Sequence, residues 1–150
     1  ELIAMRGTDG QRLPREHVWP EGHWDWPIHL PYKHGLKCGT MIYVGGQVSL
    51  TPEAEVIDPD DMPAQTHTSM ANIATVLGLL DAELDDIVKV GAFYSAGCGA
   101  EALHANLQIR SDSFTEPGPA STGIPLSYLA YPGMVVAFEV LAMTEPEESS

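Results

Sequence analysis

A chain of 150 residues that is 44% hydrophobic and 19% charged can build one domain with its own core, without a disulfide or metal staple. Its 21 acids against seven lysines and arginines give a formal charge of −14, a surface that repels phosphate backbones and anionic lipid. A general nucleic-acid binder is thereby excluded, and no apolar run approaches the roughly 20 residues of a membrane span.

Residues 1–30 form a Trp/Pro/His-rich arm. They carry Arg6, Asp9 and Arg12 rather than the apolar run of a secretory signal, so the expected setting is cytoplasmic with no membrane partner. Pro14, Pro20 and Pro27, with Pro31 just beyond, forbid a long helix and predict an extended or looped path. Trp19, Trp24 and Trp26 fall within eight residues and supply flat apolar area with N–H donors. Such an arm either covers a cleft or packs on a sheet edge or a neighbouring subunit. If it covers a cleft, Trp24 and Trp26 line it and the ligand is flat and apolar. His17, His23, His29 and His34 follow one another at spacings of six, six and five, which match no compact ligand set. They read as hydrogen-bonded surface groups, with no metal and no cofactor expected.

The body begins with a strand over Lys33–Cys38, a turn at Gly39-Thr40 and a strand over Met41–Leu50. Gly45-Gly46 inside the second strand predicts a bulge or the close approach of a ligand. A proline- and acid-rich loop follows. Met62–Ala82 then shows helical spacing, with Ile73, Val76, Leu77 and Leu80 on an apolar face and Gln65, His67, Thr68 and Asn72 on a polar one. Ile87–Tyr94 reads as a buried strand. Ala100–Phe114 reads as a second helix with Leu103, Leu107 and Phe114 inward, and Ile124–Leu129 and Met134–Met143 as strands. The order β-β-α-β-α-β-β predicts an α+β domain over residues 31–144, with two helices on one face of a mixed β-sheet. The acid clusters around Glu53–Asp61 and Asp81–Asp86 read as a solvated face. Cys38 and Cys98 have no metal-ligand spacing and no base partner. Residues 145–150, EPEESS, read as a disordered acidic tail.

Three segments carry a resemblance: PYKHGLKCGTMIYVGGQ (31–47), QTHTSMANIATVLGLLDAELDDIVKVGAFY (65–94) and PASTGIPLSYLAYPGMVVAFEVLAM (119–143). In order and spacing they resemble the RidA/YjgF family, also called the L-PSP or enamine/imine deaminase family. The resemblance implies a chorismate-mutase-like fold, a homotrimer with a barrel-like core, and small-molecule clefts between adjacent subunits. It also implies hydrolysis of 2-imino or enamine acids to 2-keto acids and ammonia. That chemistry needs a cation for the substrate carboxylate, a carboxylate to aim water, and backbone donors that fix the substrate.

Carried across by position, Tyr32 matches the family's cleft tyrosine, Gly46 its cleft-lining glycine and Asn106 its cleft asparagine. Ser121 stands where the family has its carboxylate-binding arginine, Gly123 where many members have cysteine, and Ala137 where the water-holding glutamate falls. Glu139, two residues on, is the candidate catalytic carboxylate, or else a structural or trimer-interface group. Ser121 is the candidate neutral hydrogen-bond donor. Arg110, four residues after Asn106 and so on the same helix face, is the candidate replacement anchor, or else a surface ion pair. The expected function is a RidA-like hydrolytic deaminase acting on a small imine or enamine of aromatic or ring-cleavage type. The alternative is a trimeric small-molecule binding module that has lost the hydrolysis. The ribonuclease activity sometimes attached to the family name is disfavoured by the −14 charge.

Overall fold

A computed structural model describes residues 2–146. Six strands form one mixed sheet: β1 (Glu16–Val18), β2 (Gly35–Cys38), β3 (Met41–Gln47), β4 (Ile87–Ser95), β5 (Ala120–Leu126) and β6 (Val136–Met143). Their order across the sheet is β1-β2-β3-β6-β4-β5. Helix α1 (Met62–Gly78) lies between β3 and β4 in the chain, and α2 (Gly99–Ser111) between β4 and β5. The α2 crossover makes β4 and β5 parallel, and every other pairing is antiparallel. The expected α+β architecture, two helices on one mixed sheet, is the one observed.

The core follows from strand alternation. Along β6, Val136, Phe138, Val140 and Ala142 are buried against the helices, while Ala137, Glu139, Leu141 and Met143 point to the other face. From α1, Ile73, Val76 and Leu77 close on Ile42, Val44, Val90 and Phe138. The helix starts where Asp61 Oδ1 accepts the Ala64 N–H at 2.9 Å, with a proline in its first turn.

Several boundaries differ from the sequence reading, and three of the differences are informative. The arm contains β1, which extends the sheet by pairing with β2. Helix α1 ends at Gly78 rather than Ala82, because the Leu80 and Ala82 N–H groups both turn back to Leu77 O and Asp81 takes a φ of 54°. Strand β5 begins at Ala120, four residues earlier than predicted. Its Ala-Ser-Thr-Gly start is weak in strand propensity and is held by parallel pairing of Lys89–Ala92 with Ala120–Gly123. Pro125 is tolerated because β5 is an edge. Of the tail expected to be disordered, residues 147–150 lie outside the described residues, and Glu145 and Pro146 have no regular structure.

A further difference lies in the inner face of α2, although Phe114 just beyond it packs against the core as expected. Leu107 is 46% exposed, and the helix buries Asn106 and Arg110 instead. Polar groups face inward here because they satisfy one another, as described below. Gln65, expected on a polar outer face, is fully buried for the same reason. Its Nε2 donates to Asp58 O at 2.9 Å and Gly133 O at 2.7 Å, and its Oε1 accepts the Val135 N–H at 3.0 Å.

Candidate functional site

The register of β3 against β6 shifts between Val44 and Gln47, so Gly45 and Gly46 bulge out of the ladder. The bulge forms one wall of a cavity of about 640 Å³. The arm supplies Trp19, Trp24 and Trp26, the approach to β2 supplies Tyr32, Lys33 and His34, and the sheet supplies Phe93, Leu126 and Ala137. Tyr128, Leu129 and Met134, between β5 and β6, complete it. No lining residue is acidic, in a chain with three times as many acids as bases. Tyr32 and Tyr128, 70% and 83% exposed, stand as aromatic groups on the cavity's open side. A Cβ built at Gly46 would meet nothing within 4 Å, so the glycine leaves open space there.

Gln47 fixes the arm to this bulge. The indole Nε1–H of Trp24 can only donate, and it lies 3.1 Å from Gln47 Oε1, which sets the orientation of the amide. Gln47 Nε2 then donates to Gly45 O at 3.0 Å and to His34 Nδ1 at 3.2 Å. His34 must therefore carry its proton on Nε2, which donates to Trp24 O at 3.0 Å. The His23 ring nitrogen Nε2 donates to the same Gln47 Oε1 at 2.7 Å. The Trp19, His23 and Trp24 rings pack around His34 with centroids 4.3, 4.4 and 4.6 Å away. Burial pushes the His34 pKa down to about 4, with the neighbouring His23 adding to the effect, and burial also lowers His23.

A second cluster gathers at the edge of β5. Asn106 Nδ2 donates to Thr66 Oγ1 at 2.8 Å, and Asn106 Oδ1 accepts Arg110 Nε–H at 3.0 Å. Arg110 Nη1 donates to Ser121 Oγ at 3.3 Å, and the guanidinium carbon lies 5.3 Å from the centroid of the Phe138 ring. Arg110 is only 6% exposed, yet its partners among the described residues include no acid. Burial therefore lowers its pKa with no carboxylate to offset it. Ser121 itself is exposed, so the buried arginine ends at an open strand edge.

The sequence-selected residues thus fall into three places. Trp24, Trp26, Tyr32 and Gly46 share the aromatic cavity, and Asn106, Arg110 and Ser121 form the cluster on α2 and β5. Glu139 joins neither. It is exposed on β6 and lines a separate cavity of about 330 Å³ with Met5, Arg15, Tyr43 and Lys89. Its side chain lies over Gly91, where an added Cβ would come within 3.0 Å of it. Ala137 occupies the aromatic cavity, where the sequence comparison put the family's glutamate.

His34 is 4% exposed, not the surface group the sequence reading expected. Gln47 was not singled out. Gln47 directly follows the Gly-Gly pair, and that adjacency was the available signal. Among the described residues no three His, Cys, Asp or Glu side chains come together as a metal-binding group.

Comparison with known proteins accords with this geometry. The family described as Endoribonuclease L-PSP matches residues 27–144. A RutC family protein of Pyrococcus abyssi is 29% identical over 115 residues, which cover 77% of this chain and 87% of that protein. The Escherichia coli protein named 2-iminobutanoate/2-iminopropanoate deaminase is 32% identical over 63 residues, covering 42% of this chain and 48% of that protein. Among solved structures, RidA from an Antarctic Psychrobacter superposes with a TM-score of 0.73 at 20% identity, covering 86% of this chain and 99% of that one. Yeast Mmf1 gives 0.74 at 20% identity, covering 88% and 100%. Likeness at that identity speaks for a shared fold. The chain belongs to the Endoribonuclease L-PSP family, the RidA/YjgF family that its three sequence segments resemble.

Proposed function

We infer that this chain binds a small planar imine or enamine of aromatic or ring-cleavage type and hydrolyses it to the carbonyl compound and ammonia. The observation that carries the reading is the arrival of Arg110 from α2 at Ser121, the position where the family's strand arginine is missing. A guanidinium with a serine hydroxyl and no acid partner is ready to receive an anionic end group. The wide aromatic cavity supports a flat substrate body, and the relative named as an imine deaminase supports the reaction class. Water adds to the carbon of the C=N bond and its protons pass to nitrogen, which leaves as ammonia while the C=O bond forms. Imines hydrolyse in water without a catalyst, so positioning in the cavity is enough for acceleration.

The two residue groups do not meet within one chain, which supports a site completed by a neighbouring subunit of a homotrimer. The exposed edge strand β5 and the exposed Tyr32 and Tyr128 support it too. A second reading, binding without hydrolysis, is favoured by one fact: Ala137, not a carboxylate, lines the aromatic cavity, and Glu139 opens elsewhere. Ammonia release from freshly generated 2-iminopropanoate, 2-iminobutanoate and a conjugated enamine acid, beside an arginine-containing RidA as control, tests the first reading. Acceleration of the enamine acid supports it. Saturable binding of that compound with no ammonia above buffer overturns it in favour of the second.

A further inference from the structure

His17, His23, His29 and His34 take no part in the reaction proposed above, yet His34, just before β2, is buried at the centre of a hydrogen-bond circuit. We propose that His34 and Gln47 form a proton-operated latch, which holds the Trp24 wall of the cavity closed while His34 is neutral and releases it when His34 is protonated.

The geometry requires this. Gln47 has only one amide orientation that accepts from the Trp24 indole, and that orientation presents Nε2–H to His34 Nδ1 at 3.2 Å. A proton on Nδ1 would set donor against donor. Turning the amide over would rescue that contact at the expense of two others that have no alternative role, the donor-only Trp24 indole and the acceptor Gly45 O, and His23 would have to move its proton to Nδ1. No third arrangement satisfies the circuit, because every member is already committed. Leaving the pocket frees His34 from the clash but also breaks its bond to Trp24 O, the backbone tie of the arm.

The groups that face His34 do not relieve the conflict. From the arm come the Trp19 and Trp24 rings, His23 and Asp25, and from β3 comes Gln47. Burial opposes the proton most strongly and His23 adds to it, and together they outweigh the bond to Trp24 O and the charge of Asp25, which favour it. The docked state therefore resists a proton that the released histidine accepts at its ordinary value of 6.5. Above that value the latch is at full strength. As pH falls towards about 4 the released state gains protons and the docked state does not, so the docked population falls. Below that point the change stops.

The regulatory consequence rests on the reading of this cavity as the ligand site, whereas the following readout involves no ligand, so the two can fail separately. The Trp24 indole N–H is shut inside the circuit, and its hydrogen-exchange protection factor measured by NMR reports opening even when the open state is rare. The protection factor is expected to be constant above pH 6.5 and to fall on the order of 100-fold by pH 4, with far-UV circular dichroism unchanged. His34→Gln offers one donor and one acceptor but does not titrate, so its protection factor should fall much less, by only what the buried His23 contributes. A level profile in the native chain, or the same fall in His34→Gln, overturns the proposal. Should His34→Gln not fold, Gln47→Glu decides. Its carboxylate accepts from both the indole and a protonated His34, so the fall must move to lower pH. An unmoved fall overturns the latch.

Discussion

Arg110 and Ser121 are joined across the α2–β5 edge, with Nη1 3.3 Å from Oγ. The contact places a cation beside a strand whose own residue there is neutral, and it does so through the interior rather than from the surface. Asn106 makes this possible. It holds Arg110 Nε from below and is itself held to α1 through Thr66.

Asn106→Ala would leave the buried guanidinium and the Thr66 hydroxyl each short of a partner. A loss of about 2–4 kcal/mol in unfolding free energy is expected, measured by urea denaturation. A change under 0.5 kcal/mol would mean that Arg110 is solvated rather than held.

Gly46→Leu tests the aromatic cavity without disturbing its supports. Gly46 is not in the left-handed region, and a side chain there grows into open space. Binding of planar ligands should weaken at least about tenfold by calorimetry while the melting temperature moves only slightly, as for other surface changes. Unaltered binding would place the ligand elsewhere.

Gly35→Ala tests how α1 seats on the sheet. A Cβ at Gly35 would come within 2.5 Å of Val76 Cγ1 and 3.1 Å of Leu80 Cδ1, both side chains buried in the core. Overpacking of that kind costs about 1–3 kcal/mol, and thermal unfolding should show it. Gly91→Ala, by contrast, meets the exposed Glu139 side chain from Cγ to Oε1 at 3.0–3.4 Å, which can shift towards solvent, and should cost less than Gly35→Ala.

Acid should weaken the whole fold through His34. Its pKa is about 4 in the folded chain against 6.5 when released, so unfolding takes up a proton between those values. Unfolding free energy should therefore drop as pH falls from 6.5 to 4, by up to about 3 kcal/mol from this group. His34→Gln should flatten that limb of the stability curve.

The parts legible in the sequence were those written in local pattern. The period of Ile73, Val76 and Leu77 gave α1 its inner face, and the glycine pair at 45–46 gave the bulge and its neighbouring cavity. What could not be read depended on partners distant in the chain. The inner face of α2 was assigned to Leu107 because apolar residues normally face a core. Asn106 and Arg110 take that face only because Thr66, forty positions earlier, and Ser121 are there to receive them. Strand β5 begins with Ala-Ser-Thr-Gly because β4 supplies its ladder, not because those residues favour a strand. His34 seemed a surface histidine since no spacing reveals that Gln47 and Trp24 will enclose it. Glu139 was placed near the ligand by alternation along β6, and alternation does put it on the same face as Ala137. It does not show that the two residues open on different cavities.

The central claim, that Arg110 supplies the ligand's anionic anchor, is tested most directly by a matched pair of planar probes. Calorimetric dissociation constants of cinnamate and of the neutral cinnamamide would be compared in the native chain and in Arg110→Met. The native chain should prefer the anion by at least about tenfold, and Arg110→Met should bind both alike. An equal preference for cinnamate in both proteins, or no preference in the native chain, would contradict the account.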